Sequence, residues 1–368
     1  MNTRAGWFAG ATTAIAAAAL MLACTGPRLK QELVRPVPGY ALPAATEGPL
    51  AGIAHRVVAA HGEDASGFLL LDANKAALDW RLALIDSARS SIDIQTYLWY
   101  PDNAGRLLLE RAILAARRGV HVRLIVDDLL TIGLDQSIVQ LQDDPNIEFR
   151  LFNPWKERHI GARAAELLVE MERLNIRMHN KLMIVDGVAA IIGGRNLGDH
   201  YFGLSHKYNF NDLDVLAFGQ VAEQAEGMFD HFWNSKWVVS AGNLDVEPDP
   251  AFGAKAWTRL QKRNRKAADL AAFPHEPMDW SDSLAAVEGR LHAGTGMLVY
   301  DEAPTGRFRR TWVFRYSGFS QAQSGNCLSP TPTSFRGRAV LTLYRDLPMG
   351  ASGCGSSPIR SLPTMFRR

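Results

Sequence analysis

Arg177-Met178-His179-Asn180-Lys181-Leu182-Met183-Ile184-Val185-Asp186-Gly187 is the stretch on which the reading of this chain turns. Met178 to Val185 reads as a β-strand, Asp186-Gly187 is the dipeptide of a tight hairpin turn, and Val188 to Ile192 returns antiparallel. Side chains alternate between the two faces of a strand, so His179 and Lys181 share one face. Two residues of spacing thus bring an imidazole and an ammonium rigidly to one pocket. The hairpin runs into Gly193-Gly194-Arg195-Asn196. There the missing side chains would let a ligand oxyanion approach backbone donors, and Asn196 adds an amide. These residues together predict a phosphate site with a nucleophile in it.

The flanking sequence predicts an α/β fold. Asp72 and Asn74 are candidate caps for a helix carrying Leu78, Leu82, Ile85 and Ala88 at three- and four-residue spacing. Ile92, Ile94 and Thr96 alternate with Asp93, Gln95 and Tyr97 as in a strand, and Gly105 to Arg118 returns to a helical period that stops at Gly119. His121 to Val126 is a β-rich run closed by Asp127-Asp128, followed by a helix near Leu134 to Gln142 and a strand from Glu148 to Phe152. Such a β-α-β-α-β succession argues for parallel strands.

The spacing His179-x-Lys181-x4-Asp186-x6-Gly193-Gly194-x-Asn196 resembles the HKD signature of the phospholipase D superfamily. Further segments extend the resemblance to cardiolipin synthases and related phospholipase D-type bacterial lipoproteins, over roughly Ser66 to Trp237. They are Ser66-Gly67-Phe68-x-Leu70, Ala88-x-x-Ser91-Ile92-Asp93-x-Gln95-x-Tyr97-x-Trp99, Arg118-Gly119-Val120-x-Val122-Arg123, Gly198-Asp199-x-Tyr201-Phe202, Asp212-x-Asp214-Val215 and Phe232-Trp233-Asn234. The resemblance implies a mixed-sheet α/β sandwich and phosphatidyl transfer through a phosphohistidine on His179. By the same resemblance Lys181 and Asn196, with Gly193 and Gly194, hold the substrate phosphate, Asp186 braces the catalytic motif, and no cofactor or metal is needed. A diester anion repels nucleophiles, so fixed donors must offset its charge while a neutral imidazole attacks. Asp186 would be chosen for the turn alone, which makes it structural. One of Asp212 and Asp214 is expected to orient His179 by accepting its other N–H, and the sequence leaves both open. Gln95 and Tyr97 are candidates for the site wall, and Asp127 and Asp128 for strand caps beside it.

Only one such motif occurs, whereas cardiolipin synthases carry two in one chain. The ten histidines end at His292. Met297-Leu298-Val299-Tyr300-Asp301 still resembles the entry to a second half, and beyond about Gly306 the likeness stops. From Ala303 onward there are ten arginines, no lysine and one acid, Asp346, without helical or strand period. Residues 306–368 are therefore expected to be a non-homologous, disordered tail of frameshift character. Three readings follow: a phosphatidyltransferase acting on a membrane phospholipid such as phosphatidylglycerol; a single-motif homodimeric phosphodiesterase or nuclease; and an inert phospholipid-binding remnant. A formal charge of +2 from 40 basic and 38 acidic side chains disfavours nucleic acid as partner.

Residues 1–23 read as an export signal whose apolar run, Ala14 to Leu22, is too short to span a bilayer. Met21-Leu22-Ala23-Cys24 resembles a lipobox, which implies lipidation at Cys24 and a membrane-anchored lipoprotein of the cell envelope, with the outer membrane preferred. Residues 24–61 are expected to be a proline-rich tether, 62–245 the catalytic half and 246–305 a linker into a second half. The basic run Lys255 to Lys266 is read as a solvated helix face, with a patch for anionic headgroups as the alternative. Three cysteines, Cys24, Cys327 and Cys354, are too few and scattered for a disulfide framework.

Overall fold

The computed structural model describes residues 28–301, 303 and 340–344, so Cys24, the export signal and most of the tail lie outside the described residues. Ten strands form one mixed sheet in the order β10-β9-β1-β7-β6-β5-β2-β3-β4-β8. The expected β-α-β-α-β succession is its parallel part: β2 (Ser91–Thr96), β3 (His121–Asp127) and β4 (Ile147–Phe152) pair in parallel. The remaining neighbours are antiparallel: β1 (Ala65–Leu71), β5 (Lys181–Val185), β6 (Ala189–Gly193), β7 (Asp214–Gly219), β8 (Val238–Ser240), β9 (His292–Val299) and β10 (Val340–Tyr344). Helix α1 (Pro49–His61) lies against β1 and β7, followed in the same layer by α2 (Asn74–Ser87), α3 (Asn103–Arg117) and α4 (Asp135–Leu141). Two further helices are α5 (Ile160–Leu174) and the short α6 (Asp199–Phe202). Helix α7 (Gln220–Trp233) packs on β5, β6, β7 and β9, α8 (Pro250–Lys266) covers α3 and α4, and α9 (Ser281–Glu288) covers α1. Two apolar layers result, one built around Leu78, Ile85, Leu108 and Phe218, the other around Phe229, Trp233, Ile184 and Phe152. Among the described residues no helix is long and apolar enough to cross a membrane.

Three expectations need correcting. The stretch read as a tether is docked on the domain from Arg28 onward. Val34 N–H donates to Asn243 Oδ1, Gly39 N–H to Asn234 Oδ1 and Ala41 N–H to Asp230 Oδ2. The stretch also contains α1, whose Leu50, Ile53, Ala54 and Val57 are buried at helical spacing behind Pro49 in the first turn. The prolines upstream hid that period. Helix α2 is not capped by Asn74, because Ala73 holds the cap position and Asn74 accepts from Arg195 and donates to Phe210 O. Finally, β10 places five residues of the expected disordered tail in the sheet, beside β9.

Candidate active site

The β5–β6 hairpin turns through Asp186 (φ 57°) and Gly187 (φ 67°). Both lie in the left-handed region that Asp tolerates and Gly adopts freely. The Asp186 carboxylate is buried and accepts from Arg89 N–H (3.0 Å), Ser90 N–H (2.7 Å), Ser90 Oγ–H (3.0 Å) and Ser91 N–H (3.1 Å). It therefore fastens the hairpin to the α2–β2 loop and cannot also face a substrate.

His179 lies two residues before β5, just short of the strand expected there. Lys181 opens β5, is 5% exposed, and curls back so that its Nζ donates to His179 O at 2.6 Å and lies 3.1 Å from His179 Nδ1. The Tyr97 ring covers the imidazole, with centroids 4.7 Å apart and planes tilted by 46°, and the Lys181 ammonium sits 5.3 Å from the centre of the same ring. Imidazole, ammonium and aromatic wall thus meet at one strand end. Gln95 does not join them. It pairs with Leu182, whose side chain belongs to the α7 layer, and it is buried there with no hydrogen bond to its amide atoms among the described residues.

The glycines do work different from that expected. Lys181, Gly193 and Asp214 stand in register across β5, β6 and β7. The place a side chain would take on Gly193 is filled by the Asp214 carboxylate, and the same place on Gly194 by that of Asp212. Gly194 N–H donates to Leu213 O at 3.0 Å, so it is committed to the backbone and does not face a ligand oxyanion. Asp214 is 1% exposed and accepts from Arg81 Nη2 at 2.9 Å, Arg195 Nη1 at 3.3 Å and Arg195 N–H at 3.2 Å. Asp212 is half-buried. Asn196 donates from Nδ2 to Tyr201 Oη at 2.7 Å and accepts Leu98 N–H at 3.0 Å. That amide ties the motif loop to the segment that follows β2 and carries Tyr97.

Asp127 and Asp128 do more than cap β3. Asp127 accepts from Leu129 N–H, as a cap would, but also from Arg177 Nη1 and from Met178 N–H, the residue before His179. Burial pushes its carboxyl up to about 7, opposed by the Arg177 charge and by the Met178 N–H. Asp128 is enclosed by Arg158, Thr131 and Trp155 N–H. Sequence reasoning missed Arg81, Arg195, Arg177 and Tyr201 as supports. Arg81 carried a signal, a single charge inside the apolar run Trp80 to Ile85, and Arg195 stands inside the motif.

Residues 82–233 match the model of the cardiolipin synthase, phospholipase D-like domain. Cardiolipin synthase C of Escherichia coli is 43% identical over 172 residues, which are 47% of this chain and 36% of the relative. An uncharacterized protein of Helicobacter pylori is 36% identical over 240 residues, 64% of this chain and 47% of its own. The chain thus spans less than half the length of these curated relatives. Among solved structures, the phospholipase D family member Nuc from Salmonella typhimurium aligns at 17% identity and a TM-score of 0.33, covering 48% of this chain and 97% of Nuc. The HKD hairpin lies inside this matched stretch, so residues 82–233 form a phospholipase D-like domain of the cardiolipin synthase type.

Proposed function

We propose that the chain carries out phospholipase D-type transfer of a phosphatidyl group, from a membrane phospholipid such as phosphatidylglycerol to a glycerol-type alcohol. The observation that supports this most is the placement of Lys181 Nζ 3.1 Å from His179 Nδ1 under the Tyr97 ring, within a stretch that matches a cardiolipin synthase-type domain. In the first half-reaction a ring nitrogen of His179 forms a P–N bond as the P–O bond to the leaving alcohol breaks, and that oxygen takes up a proton. In the second, the acceptor hydroxyl gives up its proton, its oxygen attacks phosphorus, and the P–N bond breaks to restore the imidazole. Lys181 offsets the charge on the non-bridging oxygens, and Asn196 serves with its second amide hydrogen. Asp212 orients His179 in this reading, because Asp214 is already held by Arg81 and Arg195. A second imidazole on a second copy of the chain supplies acid–base help worth typically about 10²- to 10⁴-fold.

The test is cardiolipin formation from phosphatidylglycerol by the purified protein, beside a nuclease assay on the same preparation. Brief exposure to substrate and an alkaline quench should trap an acid-labile phosphoryl group that His179→Ala abolishes; an adduct persisting in that variant removes His179 as nucleophile. We further propose lipidation of Cys24 and anchoring in the cell envelope, which suits a lipid substrate. Cys24→Ser should shift the protein out of the detergent phase, and unchanged partitioning refutes the anchor.

A further inference from the structure

Four basic side chains of α8, Arg259, Lys262, Arg263 and Lys266, follow one another at spacings of three, one and three residues and so form one face of the helix. Within that face Arg259 with Arg263 and Lys262 with Lys266 are like-charge pairs four residues apart, an arrangement that weakens a helix unless something else uses it. All four are exposed, and among the described residues none makes an ion pair, although Arg265 on the same helix pairs with Glu276. They do not point apart into solvent. Together with Asn103 and Arg106 from the start of α3 they line one cleft of about 470 Å³.

The cleft has fixed walls. Asn264 Nδ2 donates to the buried Glu110 of α3 at 2.6 Å, locking α8 onto α3, and Asn103 Nδ2 donates to Asp269 Oδ2 at 3.1 Å. Arg106 is held by Pro101 O and Asn103 Oδ1, while its buried Nε has no partner among the described residues. Burial lowers the Arg106 pKa and the nearby Arg263 charge lowers it further, with Asp102 and Asp199 opposing. Those two acids face Arg106 from one side and are occupied with backbone N–H groups: Asp102 accepts Asp199 N–H at 2.8 Å and Gly105 N–H at 3.1 Å, and Asp199 accepts Ala104 N–H at 2.7 Å. Through this latch the cleft joins the motif loop Asn196 to Asp199, and the loop that begins at Tyr97 runs into Asn103, the first residue of α3. Five cations therefore converge on a concave surface built onto the same rim as His179.

We propose that this cleft is a second phosphate site, which seats the anionic headgroup of a membrane phospholipid that is not itself reacting and so holds the catalytic rim against the bilayer surface. The choice of a membrane as the source of the phosphate rests on the function proposed above; the convergence of cations does not. The experiment uses the full chain and two kinds of vesicle, phosphatidylcholine alone and phosphatidylcholine containing phosphatidylglycerol, and reads the ratio of binding to the two. Any anchor at Cys24 acts on both kinds and cancels. The combined variant Arg259→Gln, Lys262→Gln, Arg263→Gln and Lys266→Gln should lose the preference for anionic vesicles by at least roughly tenfold at moderate salt while keeping its melting temperature. His179→Ala should keep the preference in full. A preference unchanged in the combined variant overturns the proposal, as does a wild type with none. Inorganic phosphate that binds the cleft without any vesicle preference, or a single-stranded oligonucleotide bound through the same four residues more tightly than vesicles, also overturns it. If the vesicle preference behaves as expected but no lipid product forms, the reading of the function falls and the cleft stands.

Discussion

Replacing Asp186 separates a brace from a catalyst. In Asp186→Ala three backbone N–H groups and the Ser90 hydroxyl lose their acceptor. Ser91 is buried, so its orphaned N–H costs about 1–3 kcal/mol. Arg89 is exposed and Ser90 half-exposed, so water takes up part of their loss and about 1 kcal/mol each remains. Alanine at φ 57° adds about 1 kcal/mol of left-handed strain. The sum is about 4–6 kcal/mol, a large part of the roughly 5–15 kcal/mol that holds a domain together. Asp186→Asn is different. All four donors reach Oδ1, at 2.7 to 3.1 Å, so an asparagine oxygen there keeps every one of them and tolerates the same φ. What is lost is the charge and the second contact from Arg89 N–H, together about 1–2 kcal/mol. Urea unfolding at neutral pH should show the alanine variant shifted at least about twofold further than the asparagine variant at unchanged m, with kcat of folded Asp186→Asn close to wild type. Equal losses of stability, or an asparagine variant that is stable and inactive, would show that the carboxylate acts on substrate.

Two further perturbations test the packing. Burial and the nearby Asp93 and Asp230 push Glu226 up to about 8, against an unfolded value of 4.5. Between those limits the folded state holds a proton that the unfolded state has released, so this group makes stability fall as pH rises from about 4.5 to about 8. Glu226→Gln should therefore raise the melting temperature more at pH 8 than at pH 5, by the equivalent of about 1–2 kcal/mol, and a pH-independent effect refutes the assignment. Gly193→Ala would drive a methyl group into the Asp214 carboxylate and the β7 backbone, and should cost at least about 3 kcal/mol by disturbing a buried ion pair. Gly227→Ala in α7, where nothing stands within 4 Å, should stabilise by about 0.5–1 kcal/mol, and calorimetry that ranks the two the other way contradicts the register described.

The parts of this fold legible in the sequence are those whose cause is local. Asp186-Gly187 turns the chain because those two residues accept positive φ, and the three parallel strands announce themselves by β-rich runs between helical periods. His179 and Lys181 meet as their spacing of two residues suggests, although His179 stands before β5 and the contact is made by Lys181 curling back to it. What the sequence hid depends on register or on distant partners. Residues 34–41 carry no periodic pattern, yet they are fixed by Asn243, Asn234 and Asp230, nearly two hundred residues on. The glycine pair looked like an opening for a ligand, and that Asp214 at the start of β7 and Asp212 just before it fill the space follows only from the β6–β7 pairing. Gln95 fails for the same reason. Its place opposite Leu182 puts it in the α7 layer, which alternation within β2 alone does not reveal.

Buried carboxylate–guanidinium pairs recur around the rim that bears His179: Asp214 with Arg81 and Arg195, Asp127 with Arg177, Asp128 with Arg158, and Arg158 in turn with Asp135. Taking charges out of water offsets much of their mutual attraction, so such pairs are a poor means of stabilising a fold. Their value here lies in where they grip. Asp127 accepts the N–H of Met178, immediately before His179, and Asp214 accepts the N–H of Arg195, immediately before Asn196. These two pairs hold the backbone beside His179 and Asn196 and leave those side chains themselves outside the pair. A phosphoryl-transfer site needs its nucleophile and donors fixed before the charge develops. For the transfer proposed above, these clamps set the chain on either side of the motif, so that the imidazole and the amide take their positions from neighbours that lie outside the proposed chemistry.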